Sequence, residues 1–189
     1  SFCGLTPAKD EYSDDTLMDE VMQLILAAHN HAPQDVDVKV LLGVLYNVSQ
    51  NFDQAAELFR DALKHRPNDY TLFNKLGATL ANSNGSEAAI PLYEKAVEIR
   101  PSYARGWLNK GISYANLNQY EEAARSYVKA LDLNAQGKHM WGYLRVVFTC
   151  MNDLELVELC GREDLNTIAS KLGVTLSSST YAATASEKG

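Results

Sequence analysis

The sequence is short of several things, and each shortage closes a class of function. Cysteine is nearly absent: Cys3, Cys150 and Cys160 cannot all pair, and no two stand at CxxC spacing. That count is too low for a disulfide framework and points to a reduced, intracellular chain. Positive charge is in deficit, with 17 Lys and Arg against 24 Asp and Glu and a net charge of −7. A nucleic-acid or anionic-membrane surface needs a basic patch, which this balance argues against. Long apolar runs are missing; the densest, Val21 to Ala28, is interrupted by Gln23. A transmembrane span, which needs about 18 consecutive apolar residues, is therefore not expected. No basic-apolar-small leader precedes the first charged residues, so no secretory signal is expected.

Catalytic signatures are equally scarce. The chain has no GxGxxG after a strand, no phosphate-binding loop and no GxSxG. Its four histidines, His29, His31, His65 and His139, are scattered, and the two nearest differ by two residues, which places them on different helix faces. They are expected on the solvated surface, with no metal site and no cofactor. Cys150 and Cys160 have no evident base partner and are expected to pack in a core. The chain is not expected to be an enzyme. The sequons Asn47-Val48-Ser49 and Asn84-Gly85-Ser86 are silent in an intracellular chain.

What the sequence does have is a period. Pro33, Pro67 and Pro101 recur every 34 residues, and so do Gly43, Gly77 and Gly111. Ala55, Ala89 and Ala123 keep the same phase, as do Ala62, Ala96 and Ala130, and the aromatic column Phe59, Tyr93 and Tyr127. Within one unit, Leu42, Gly43 and Tyr46 share a face of a first helix, and Ala55, Phe59 and Ala62 a face of a second. The small residues let the two helices approach, the aromatic is expected to fill the space between units, and the proline ends the second helix. Such a unit cannot bury its apolar face alone, so neighbours must stack. Period and column order resemble the tetratricopeptide repeat.

That resemblance implies an all-α solenoid, a right-handed superhelix closed by a C-terminal helical cap. The expected organisation is a linker or hinge at 1–13, a helix of a degenerate preceding repeat within 14–35, and repeats at 36–69, 70–103 and 104–137. A helical bundle follows at 138–174, where Met140, Leu144, Val147, Phe148 and Met151 form one stripe and Leu165, Ile168, Ala169 and Leu172 another. The Ser, Thr and Ala-rich tail at 175–189 is expected to be disordered. Columns break at Lys39 in an aromatic position, Leu80 in a tyrosine position, Lys110 in a leucine position and Ala135 where proline is due.

In such arrays the first helix of each repeat lines the concave side. There Asn74, Ala78 and Asn82 follow at i, i+4 and i+8, flanked by Lys75. In the next repeat Arg105, Asn109, Ser113 and Asn116 form a similar stripe. An asparagine amide offers both donor and acceptor, which matches a peptide bond. Lys75 and Arg105 supply positive charge for an anion such as a free terminal carboxylate.

The segment Asn68-Asp69-Tyr70 with Phe73-Asn74-Lys75-Leu76-Gly77-Ala78-Thr79-Leu80-Ala81-Asn82 is more specific. Together with Leu42-Gly43-Val44-Leu45-Tyr46-Asn47 and Gly111-Ile112-Ser113-Tyr114 with Asn116, it resembles the receptor family for the type 1 peroxisomal targeting signal. The likeness runs from about residue 15 to 174 and corresponds to that family's repeats five to seven and its C-terminal bundle. It implies a receptor for the C-terminal Ser-Lys-Leu-type tripeptide of peroxisomal matrix proteins, held by Asn74, Lys75, Ala78, Asn82, Arg105, Asn109 and Asn116. It also implies a monomer in the cytoplasm that cycles to the peroxisome membrane, where docking machinery is met through regions outside this sequence. The internal Ser170-Lys171-Leu172 lacks a free carboxylate and is expected to be inert. The alternatives are a chaperone-docking module or a general scaffold. Val40 and Val44, apolar where a chaperone clamp needs polar groups, oppose the first of these.

Overall fold

The computed structural model describes residues 14–177; the proposed linker at 1–13 and the tail from 178 onward lie outside the described residues. Among the described residues there are ten helices and no strand. They are α1 (Asp14–His31), α2 (Val36–Val48), α3 (Phe52–His65), α4 (Tyr70–Asn82), α5 (Ser86–Ile99), α6 (Ala104–Asn116), α7 (Tyr120–Leu133), α8 (His139–Cys150), α9 (Leu154–Gly161) and α10 (Leu165–Leu172). Three hairpins, α2–α3, α4–α5 and α6–α7, stack in chain order through the contacts α3 to α4, α5 to α6 and α7 to α8. This is a tetratricopeptide solenoid.

Caps and turns explain where the helices begin and end. Asp35 and Asp69, one period apart, each accept from two backbone N–H groups at the starts of α2 and α4. Side-chain acceptors there satisfy donors that a helix start leaves orphaned. Asp153 and Asp164 each accept from one backbone N–H, of Leu156 and Thr167, at the starts of α9 and α10. Each hairpin turn passes through a left-handed residue, Gln50, Asn84 and Asn118, again one period apart. The following N–H closes on the helix behind: Asn51 on Tyr46 O at 2.8 Å, Gly85 on Leu80 O at 2.8 Å, Gln119 on Tyr114 O at 2.9 Å.

The same turn recurs once more. Asn152, 34 residues after Asn118, is left-handed, and Asp153 N donates to Phe148 O at 3.0 Å. The hairpin α8–α9 is thus a fourth unit in phase with the repeats. Trp141, Leu144 and Phe148 continue the columns of Trp107, Lys110 and Tyr114. The unit is truncated, because α9 has 8 residues where α3, α5 and α7 have 14.

The aromatic column fills the space between units, as expected, and closes its own hairpin as well. Phe59 shares a buried cluster with Leu72 and Leu76 of the next repeat, Tyr93 faces Ser113, and Tyr127 stacks on Tyr143 at 5.5 Å. Each ring also lies on the glycine of its own hairpin. A Cβ placed on Gly43, Gly77 or Gly111 would come within 2.8 Å, 2.8 Å and 2.6 Å of those rings. Glycine is required there by closeness, since any side chain must displace a buried ring. The departures from the pattern are compensated locally. Lys39, 6% exposed, reaches Asp61 of α3 at 2.5 Å. Lys110 pairs with Glu94 at 3.1 Å and lies over the Trp107 and Tyr114 rings.

The core of the C-terminal half joins α7 to α8, α9 and α10 through Tyr127, Leu131, Leu144, Phe148, Leu156 and Ile168. Cys160 is buried in it, but Cys150, also expected in the core, is exposed at the end of α8. Of the histidines expected on the surface, His31, His65 and His139 are exposed, whereas His29 is half-buried with Nδ1 unpaired. The chain stays attached beyond the last helix, past the point where its composition turns polar. Arg125 donates to Leu172 O, Lys129 to Thr175 O, and Ser177 N and Oγ both donate to Asp132 at 2.8 Å. These donors and acceptors stand along one face of α7, so residues 172–177 form a strap across it.

Candidate functional site

The two asparagine stripes fall on α4 and α6, which touch each other directly. Asn109 of α6, half-buried, donates from Nδ2 to Oδ1 of Asn74 in α4 at 3.0 Å. Asn74 is 6% exposed, and its Oδ1 accepts from Asn109. Asn109 keeps its own Oδ1 and a second N–H without a partner among the described residues. One free acceptor and one free donor on the same amide match in kind the two groups of a peptide bond.

The rest of the predicted set surrounds this pair unevenly. Lys75 and Ala78 are half-buried on α4; Asn82, its last residue, is exposed. Arg105 is exposed in the first turn of α6. Asn116, at the far end of α6, donates to Ser86 Oγ of α5 at 3.3 Å. Ser113 is 0% exposed, turned toward Tyr93 of α5, and its Oγ makes no hydrogen bond of good geometry. Tyr93 is buried deeply enough that its phenol is pushed well above the usual tyrosine range. Ser113 therefore packs within the hairpin stack and offers nothing to a ligand.

The positive charges differ in how they are paired. Among the described residues neither Lys75 nor Arg105 forms an ion pair, although the chain carries seven more negative than positive charges. Lys39 and Lys110, by contrast, are both paired. A cavity of about 210 Å³ adjoins Arg105, bounded by Leu108 of α6, Asn134 and the start of α8 at His139 and Met140. The start of α8, which the sequence expectation assigns to a separate bundle, borders this cavity. His139 and Tyr143 stand one period after Arg105 and Asn109, and Tyr143 and Val146 are exposed large side chains. Trp141, one period after Trp107, was the available signal.

Among the described residues no group of three His, Cys, Asp or Glu is placed to hold a metal ion. No described helix is long and apolar enough to cross a membrane.

Tetratricopeptide-repeat profiles match residues 24–70, 40–104 and 104–136, which together span well over half of the sequence. The chain belongs to the tetratricopeptide-repeat family. Repeats of this family are in general non-catalytic and bind partner peptides and proteins, so the array is a protein-interaction scaffold. No curated protein sequence matches it. Solved structures with the same fold include MamA from Desulfovibrio magneticus RS-1, from its residue 41 onward, at 21% identity and a TM-score of 0.69, covering 82% of this chain and 85% of that one. A MamA crystal structure aligns at 14% identity with a TM-score of 0.72, covering 90% and 99%. At these identities the likeness shows the fold.

Proposed function

We propose that the array binds the free C-terminus of partner proteins, as part of a receptor for the Ser-Lys-Leu-type peroxisomal targeting tripeptide. The observation that carries this reading is the Asn74–Asn109 pair on two helices that also carry Lys75 and Arg105, neither in an ion pair among the described residues. The peptide lies extended along α4 and α6. Asn109 meets its backbone, with Asn82 and Asn116 at the far ends of the two helices. Lys75 and Arg105 attract the terminal carboxylate, and Ala78 leaves room for a ligand side chain. A charge-assisted hydrogen bond contributes roughly 1.5–3 kcal/mol where water is excluded. Ser113 is a support residue in this reading. The receptor then works in the cytoplasm and cycles to the peroxisome membrane.

The second reading is a scaffold that grips partners without reading a carboxylate. It is favoured by the burial of Asn74, which leaves one asparagine of the pair to meet a ligand. A chaperone-docking clamp is opposed by Val40 and Val44 on α2, both apolar and half-buried.

Fluorescence anisotropy separates the two. A labelled peptide ending in Ser-Lys-Leu binds this chain, and Arg105→Glu weakens it by roughly tenfold or more. Equal binding by wild type and Arg105→Glu sinks the carboxylate-receptor reading and leaves the scaffold.

A further inference from the structure

The fourth hairpin breaks the packing rule of the other three in a specific way. In the repeats, a glycine on the first helix lies under an aromatic ring from the second. One period after Gly111 stands Arg145, and one period after Tyr127 stands Gly161. The large and small members of the pair have exchanged places. No ring fills the gap, because α9 supplies none. A Cβ built on Gly161 or on Gly142 would meet nothing within 4 Å. The left-handed Glu163 turns the chain into α10 directly after α9 ends, so no later residue of that helix closes the opening.

The result is a cavity of about 360 Å³ between α8 and α9. Its walls have a definite chemistry. Trp141 and Cys160, both buried, give it apolar surface. Burial pushes the Cys160 thiol up to about 11, against the pull of Arg145, so it is a neutral sulfur at pH 7. Thioether and thiol sulfur pack favourably against aromatic rings. Lys138, His139 and Arg145 line the same cavity, and among the described residues Lys138 and Arg145 have no ion-pair partner. Glu163 is the one carboxylate on the rim, and it too is unpaired.

We infer that this cavity is a second binding site, which takes an aromatic side chain from an acidic segment of a partner protein. The register says what is missing, a ring, and the unpaired Lys138 and Arg145 say which charge should flank it. A buried aromatic anchor surrounded by a charged rim is the usual build of a protein-binding hot spot. The site shares His139 with the cavity beside Arg105 but none of the residues that anchor the Asn74–Asn109 pair, and it stands or falls independently of that pair.

The test is calorimetric titration of the full chain with an acetylated, amidated pentapeptide, Asp-Glu-Phe-Glu-Asp. Its blocked ends deny it a terminal carboxylate. Saturable binding is expected with a Kd of about 1 mM or tighter. Replacing its Phe by Ala, or its acidic residues by Lys, should weaken binding roughly tenfold or more. Gly161→Phe, which restores the absent ring, should block the site, and Arg145→Glu should weaken it comparably. Asn109→Ala should leave it unchanged. Arg145 is exposed, so its variant carries the test even if Gly161→Phe misfolds. Absence of saturable binding, or binding indifferent to Arg145→Glu and to the peptide's charge, overturns the inference.

Discussion

Asn109 donates to Asn74 across the gap between α6 and α4, at 3.0 Å, and the acceptor is the more buried of the two. The contact joins residues 35 positions apart, so it exists only when the two repeats are stacked in register. It makes the candidate site a property of the array rather than of either repeat.

The two asparagines should therefore act as a unit. Asn109→Ala and Asn74→Ala are each expected to weaken binding of a peptide ending in Ser-Lys-Leu by about 1–3 kcal/mol. The double variant should lose little more than either alone, because residues in one hydrogen-bond network are not additive. Anisotropy titrations of the four proteins measure this. Fully additive losses would show that the pair does not act together.

Glycine tolerance should divide sharply along the chain. Gly111→Ala forces a Cβ to within 2.6 Å of the Tyr127 ring and should destabilise by about 1–3 kcal/mol. Gly142, in the first turn of α8, has open space, and Gly142→Ala should stabilise by up to about 0.5–1 kcal/mol through helix propensity. Urea unfolding of both variants decides the point. Equal effects would contradict the packing described.

The buried Lys39 depends on Asp61. Asp61→Asn strands a cation at 6% exposure and should lower the melting temperature, and Lys39→Leu added to it should recover part of the loss. The hydrogen bond from Lys39 holds the Asp61 carboxyl below the usual aspartate value of 3.8, helped by Lys64. A depressed carboxylate contributes stability that is present above 3.8 and is lost as pH falls through the lower folded-state value. Acid unfolding of wild type should thus show a loss below about pH 3.8 that Asp61→Asn lacks, checked by circular dichroism at stepped pH.

The strap over α7 should matter to stability. A chain ending at Gly173 loses Thr175 and Ser177 and leaves the buried Asp132 without its hydrogen bonds. A loss of about 1–3 kcal/mol is expected in denaturant unfolding. No change would mean that the strap contributes nothing.

Much of this architecture can be read in the residues, because a 34-residue period repeats its own physics. The glycine, alanine and aromatic columns mark helix faces, and all but the flank of each hairpin follows. The second contact of Phe59 was not legible: periodicity places the ring between units but does not say that it also covers Gly43 of its own hairpin. The fourth hairpin was obscured because Arg145 and Gly161 invert the two most diagnostic columns, while Trp141, Leu144 and Phe148 preserve the quieter ones. Of the candidate site, Asn74, Lys75, Ala78, Arg105 and Asn109 gather on neighbouring helices. Ser113 does not join them, since helical spacing of four and seven from Asn109 and Gly106 cannot distinguish a concave surface from the seam beside it. The strap was hidden by its composition. Ser177 is a poor core residue, yet Asp132 gives it a buried partner.

The central claim is that a terminal carboxylate is read beside Asn109. The most direct measurement is a paired titration of the same peptide ending in Ser-Lys-Leu, once as the free acid and once as the amide, against wild type and Asn109→Ala. The account predicts that wild type prefers the acid by roughly tenfold or more and that Asn109→Ala binds both forms weakly. Equal affinity of wild type for acid and amide would contradict it.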